Sequence, residues 1–177
     1  MPANDELSNK MREMPFGQDG NTAMHSVVDA PPMRPLDVKP KRIYIAASIL
    51  ANLAAAQLAI ELIRAGFHVS SSWILHDHAA LKAQGDLNEE KRNKINVEMC
   101  QQDIDDLAEA DTLIILTYVP STSGGLHVEL GYFLGAKKTN VIVVGPRLNV
   151  FFWSKDVRYT SYGSGLVQWL QRPEHGS

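Results

Sequence analysis

At 177 residues and 19.6 kDa the chain has the length of one domain with a sizeable core, and two full domains are not expected. Its 45% hydrophobic and 21% charged content is that of a soluble globular protein. A formal net charge of −3 gives no electrostatic basis for binding a nucleic-acid polymer, although one pocket for a free nucleoside or nucleotide needs few charges. The single cysteine, Cys100, excludes an internal disulfide and a thiol-based metal cluster, and fits a reducing compartment. No apolar run reaches the roughly 18 residues of a membrane span. The start, Met1-Pro-Ala-Asn-Asp-Glu6, has neither the basic flank nor the apolar centre of a secretory signal. A cytoplasmic protein without a membrane partner is expected.

Residues 1–40 mix Met, Pro, Asn, Asp and Gly without apolar periodicity, and Pro31, Pro32, Pro35 and Pro40 interrupt any regular element. This segment reads as a flexible N-terminal tail without chemistry, or as an arm that packs on a neighbouring subunit. Lys41-Arg-Ile-Tyr-Ile-Ala-Ala47 is a first strand, and Ser48 stands where a helix cap is needed. From Leu50 to Ala65 an Ala-rich stretch carries Leu53, Ala56, Gln57, Ile60, Leu62 and Ile63 at helical spacing, and Gly66 ends it. Phe67 to Trp73 is a second strand, so the first 30 or so residues of the domain form one βαβ unit with parallel strands.

The stretch from Ile74 to Leu87 is irregular and contains His76-Asp77-His78. Asp86 or Asn88 is placed to cap a helix from Glu89 to about Ala110, with Ile95, Met99, Ile104, Leu107 and Ala108 as its buried stripe. Thr112 to Thr117 has the composition of a buried third strand. A Gly-paired loop then leads into a helix that runs to Lys138, and Asn140 to Val144 is a fourth strand, closed by Gly145-Pro146. Phe151–Trp153 and Val157–Tyr159 read as short strands, and Ser164 to Leu170 as a last helix. The alternation predicts an α/β three-layer sandwich with a parallel, flavodoxin-like (Rossmann-like) sheet of four to five strands. It spans residues 41–172, with 173–177 as a C-terminal tail.

The loop and helix Thr122-Ser-Gly-Gly-Leu-His-Val-Glu129 follow a buried strand, the position at which open α/β sheets bind ligands. Glu129 sits about one turn inside the helix, where an acidic residue also complements the helix dipole.

Three stretches together resemble the nucleoside 2-deoxyribosyltransferases and the related 2′-deoxynucleoside 5′-phosphate N-hydrolases. They are Ile43-Tyr44-Ile-Ala-Ala-Ser48, Asp103-Ile-Asp-Asp-Leu-Ala-Glu-Ala-Asp111, and Gly124-Gly-Leu-His-Val-Glu129-Leu-Gly131 with Ala136-Lys-Lys138 and Val141-Ile-Val-Val144. The resemblance covers about Lys41 to Leu170. It implies a glutamate nucleophile at Glu129, a tyrosine at Tyr44 that donates a hydrogen bond to it, and an acidic residue at Asp103 that protonates or holds the base. Asp105 and Asp106 compete for the last role, and all three also read as a solvated helix face.

That assignment suits the chemistry. Breaking an N-glycosidic bond builds positive charge at the anomeric carbon and negative charge on the leaving base, so a carboxylate on one side and a proton donor on the other both lower the barrier. Gly124 and Gly125 let a sugar approach the backbone. Ser48 and Ser123 fall where the resembled hydrolases hold a 5′-phosphate, whereas the transferases carry an acidic residue at the second position. The hydrolases also carry an arginine two residues after the first serine, and here that residue is Leu50, which removes the fork that grips phosphate best. Nucleoside and nucleotide stay open as substrates, and Ser48 and Ser123 also read as caps.

The family completes each pocket from a neighbouring subunit, for which Asn149 is the candidate by position. Trp73 walls the base pocket or belongs to the core. The resemblance implies a homodimer or higher homo-oligomer, a small-molecule nucleoside or nucleotide as partner, no cofactor and no metal.

Two other classes compete. A catalytically silent nucleotide-binding or sensing module is suggested by Leu50 and by the unusual His127. A metal-dependent hydrolase on His76, Asp77 and His78 lacks the further ligands that such a site needs.

Overall fold

The computed structural model of the protein describes residues 33–75, 88–119, 124–160 and 165–176. Five strands form one sheet in the order β2-β1-β3-β4-β5, every pairing parallel: β1 (Arg42–Ala47), β2 (His68–Val69), β3 (Thr112–Leu116), β4 (Asn140–Val144) and β5 (Val157–Thr160). The connecting helices are α1 (Asn52–Arg64), α2 (Glu89–Glu109), α3 (Gly125–Gly135) and a short α4 (Leu166–Leu170). This is the expected α/β sandwich, with five strands among the described residues, the upper end of the expected four to five.

Strands β3 and β4 are buried at every residue, as central parallel strands covered on both faces must be. Their runs Thr112-Leu-Ile-Ile-Leu116 and Asn140-Val-Ile-Val-Val144 meet in register, Ile114 opposite Ile142. The step from β1 to β2 goes one way along the sheet and the steps from β2 to β3 and β4 go the other. With right-handed crossovers, α1 therefore lies on one face and α2 and α3 on the other.

The second strand is shorter than its sequence suggests. Only His68 and Val69 pair with β1, and the chain then turns through a 3-10 segment, Ser72–Leu75. The serines account for this, because their side chains replace ladder partners. The Ser71 hydroxyl accepts from Ile45 N, the Ser70 hydroxyl donates to Asp106 O, and Ser72 N donates to the Asp106 carboxylate at 2.8 Å. Phe151–Trp153 is likewise not a strand but part of a 3-10 turn, Val150–Trp153.

Helix α2 runs unbroken from Glu89, with Asn88 as its cap accepting from Lys91 N at 2.9 Å; Asp86 lies outside the described residues. Of the stripe expected on α2 only Leu107 is buried. Ile95 and Met99 are half-buried and Ile104 and Ala108 exposed, because this face borders a cleft rather than the core.

Packing extends beyond residues 41–172 at both ends. Leu36 is part of the core, its N–H donates to His175 Nδ1 at 3.1 Å, and Gly176 N donates to Leu36 O at 3.0 Å. Buried Arg158 pairs with Asp37 at 3.0 Å and donates to Pro35 O at 2.8 Å. Asn140 accepts from Asp37 N and Val38 N and donates to Val38 O. A single leucine among prolines carries no periodicity, so this anchoring was not visible in the sequence.

Among the described residues, no helix is long and apolar enough to cross a membrane.

Candidate active site

Tyr44 sits in the middle of β1, fully buried, opposite Leu113 of β3. Alternation along the strand sends its side chain to the opposite face from Ile43 and Ile45. Helix α3 packs over β1 and β3 on that face. There the Tyr44 hydroxyl donates to Glu129 Oε1 at 2.9 Å. Glu129 thus hangs from the second turn of a helix over a mid-strand tyrosine, rather than from the loop at the strand's carboxyl end.

Helix α3 can begin where it does because Gly124 takes φ +74°, a left-handed conformation that costs glycine nothing. The turn after β4 has the same requirement in a tighter space. Gly145 has φ +112°, and a Cβ there would stand 2.7 Å from Thr117 Oγ1.

Between α2 and α3 lies a cavity of about 470 Å³, into which Asp103 and Glu129 both project, with Gly125 at its rim. Its walls are largely apolar, formed by Met99, Val128 and Tyr132 among others. Met99 is one turn before Asp103, and Tyr132 is one turn after Glu129. Met99 and Tyr132 were missed as wall residues in the sequence, although they stand at i−4 of Asp103 and i+3 of Glu129, on the same helix faces as the two acids.

Burial dominates the electrostatics. It pushes the Glu129 carboxyl up to about 7; the Tyr44 hydrogen bond opposes this and the nearby Asp103 carboxylate adds to it. The Tyr44 phenol is held far above its ordinary value by burial, then by the charges of Glu129 and Asp103. It is therefore a proton donor at every accessible pH. A carboxyl that titrates near neutrality beside a permanent donor, in an apolar cleft, is equipped to act as nucleophile or base.

The other residues singled out from sequence are more dispersed. Ser48 caps the 3-10 turn Ile49–Ala51, accepting from Leu50 N at 3.4 Å. Trp73 is buried against β1, its indole N–H donating to Ile45 O at 2.8 Å. Asn149 caps the 3-10 turn before β5, accepting from Phe151 N at 2.8 Å. Asp106 holds the β2 end as described, and Asp105 accepts from Gln101 on the exposed flank of α2. His127 points away from Glu129 on α3 and stacks on Phe152, ring centroids 5.9 Å apart. Ser123, His76, Asp77 and His78 lie outside the described residues.

No family model matches this chain, and no curated protein matches it. Among solved structures it is similar to the Clostridium botulinum CMP N-glycosidase BcmB, at a TM-score of 0.43 and 16% identity, over 73% of this chain and 95% of that one. A likeness of that degree decides nothing about the site, whose reading rests on its own geometry.

Proposed function

We propose that the protein cleaves the N-glycosidic bond of a nucleoside or nucleotide by double displacement, with Glu129 as nucleophile. The observation that carries this reading is the 2.9 Å hydrogen bond from Tyr44 to Glu129 Oε1 beside a cavity that Asp103 shares. Tyr44 engages one carboxylate oxygen and leaves Oε2 to attack the anomeric carbon. As the C1′–Oε2 bond forms, the C1′–N bond breaks, its electron pair passes to the base, and Asp103, entering the step in its protonated form, delivers the proton that neutralises it and becomes a carboxylate. Water, or the nitrogen of a second base, then attacks C1′ while the Asp103 carboxylate takes its proton, the ester to Glu129 breaks and frees the Glu129 carboxylate, and the configuration is retained. Burial makes Glu129 a stronger nucleophile than an exposed carboxylate.

The deoxyribosyl group as the transferred sugar, and an assembly of more than one copy, are proposed on the sequence resemblance. A second reading, a nucleotide-binding or sensing module without turnover, is favoured by one observation. Leu50 is 70% exposed at the position where the resembled hydrolases carry a phosphate-gripping arginine.

Chromatography of purified protein incubated with the common deoxynucleosides and their 5′-monophosphates, with and without a second free base, separates the readings. Base release alone identifies a hydrolase, and a new nucleoside that needs the second base identifies a transferase. Activity retained in Glu129→Gln would refute the nucleophile assignment, and binding without any product would support the module.

A further inference from the structure

Helix α2 turns one stripe toward the cavity beside Glu129, and Asn96, Met99, Cys100 and Asp103 all lie on it. Because every strand is parallel, α2, which leads into β3, and α3, which leaves it, run in the same direction on one face of the sheet. Asp103 lies near enough to Glu129 for its charge to be felt there. One turn back along each helix, Met99 comes level with Gly125, the first residue of α3. Asn96 lies a further turn out, exposed at the mouth of the cavity. The other amides of this part of α2 are engaged along the helix, Gln101 donating to Asp105 at 2.9 Å and Gln102 to Asp106 at 2.8 Å. Among the described lining residues, Asn96 is the one neutral amide.

Building on the proposed cleavage, we infer that Asn96 is the residue that reads the base. The base it takes carries a hydrogen-bond donor and an acceptor side by side on the edge remote from Asp103. Asp103 and Asn96 are seven residues apart on one face of α2, an axial rise of about 10.5 Å. Their side chains are equal in length and lean the same way along the helix, so their polar ends keep that separation. Hydrogen bonds of about 2.9 Å at each end leave about 5 Å between them, the width of one base ring with its exocyclic group. Met99 on α2 and Val128 on α3 flank this space with apolar surface, on which the faces of a flat ring can pack. Gly125 opposite Met99 has no side chain to fill it. An amide offers an acceptor oxygen beside a donor nitrogen, and so pairs with two neighbouring groups on a base edge. Asp103 thus meets the base where a proton is needed, and Asn96 selects the base that is held there.

The test compares base release by the full-length protein from deoxyadenosine, deoxycytidine and deoxyguanosine, as nucleosides and as 5′-monophosphates. Two analogues are added in which hydrogen replaces the amino group, purine 2′-deoxyriboside for the first and 2-pyrimidinone 2′-deoxyriboside for the second. The wild type is expected to lose about 3- to 10-fold in kcat/KM with the missing amino group. Asn96→Ala is expected to lose that discrimination, and Asn96→Asp to move the order of bases toward guanine. A carboxylate accepts from the guanine N1–H and 2-amino group together, whereas it repels the ring nitrogen of adenine or cytosine. Both substitutions are at an exposed helix position, and the circular dichroism spectrum should not change. Discrimination that survives in Asn96→Ala, or an unchanged order of bases in Asn96→Asp, would overturn the assignment, since a merely structural role slows every substrate alike. If no compound is cleaved, the proposed cleavage fails, and calorimetric binding of the same compounds decides the role of Asn96 separately. Selectivity in binding that disappears in Asn96→Ala would support the base-reading role without chemistry. Equal selectivity in the two proteins, or no binding, would overturn it.

Discussion

Replacing Glu129 by Gln should abolish turnover and at the same time stabilise the protein, by an amount that depends on pH. Burial pushes the Glu129 carboxyl from an ordinary value of 4.5 up to about 7. A folded state that holds its proton more tightly than the unfolded chain is at full stability below about 4.5. It loses stability as pH rises towards about 7 and is level above that. The total loss is on the order of 3 kcal/mol, an upper figure because the cavity admits water. The glutamine of the variant cannot ionise, while its side-chain oxygen still accepts from Tyr44, so the variant escapes this loss. Thermal unfolding followed by circular dichroism from pH 4 to 8.5 should show the two proteins nearly equal at the acid end. They should diverge to as much as about 6–12 °C above pH 7, at roughly 2–4 °C per kcal/mol for a chain of this size. The remaining titrating groups are common to both proteins and largely cancel in the difference. A constant gap across the pH range, or a less stable variant at pH 8, would refute the claim that Glu129 is a half-buried carboxylate whose charged form is disfavoured by its surroundings.

Tyr44→Phe removes the hydrogen bond that holds Glu129 down. The ascending limb of the pH–rate profile, expected near pH 7 in the wild type, should move upward, so activity falls more at pH 7 than at pH 8.5. Asp103→Asn should lower kcat by about 10²–10⁴-fold if that residue supplies the proton. Arg158→Ala leaves Asp37 and the Pro35 and Thr139 carbonyls without their donor, and should cost up to about 3 kcal/mol in urea unfolding with no change in the pH–rate profile. Gly145→Ala must hold φ near +112° against the Thr117 hydroxyl, and should cost about 1–3 kcal/mol by the same measurement.

Much of the sheet was legible because parallel central strands are written as continuous apolar runs. Thr112–Leu116 and Asn140–Val144 fall where that signal places them. Elements that depend on side chains substituting for backbone were not legible. Ser70, Ser71 and Ser72 look like a strand by position but end β2 through their own hydrogen bonds. Asn149 turns Phe151-Phe-Trp153 into a 3-10 turn by capping it. Apolar spacing was also ambiguous in meaning. It identified α1 and α2 as helices but did not tell a face turned to the core from one turned to a cleft or to solvent. Leu53, Ile60 and Ile63 on α1 and Ile104 on α2 are all exposed.

The pairing at the centre of the site shows what a sequence can and cannot carry here. Tyr44 and Glu129 are 85 residues apart, and no local pattern links them. What links them is topology. β1 is central, β3 pairs beside it, and a right-handed crossover from β3 must lay α3 over the face to which Tyr44 points. Once the strand order is fixed, the residue one turn into α3 has little choice but to meet the middle of β1. The position of Glu129 is then a consequence of the sheet, and its chemistry a consequence of the apolar surroundings that the sheet imposes. That ordering gives the burial of Glu129 a cause independent of any substrate. Its raised titration should therefore persist in the ligand-free protein, where nuclear magnetic resonance of a 13C-labelled glutamate carboxyl can follow it. A titration midpoint near the ordinary 4.5 would mean that the helix does not hold the carboxyl against the core, and would remove the basis for the proposed nucleophile.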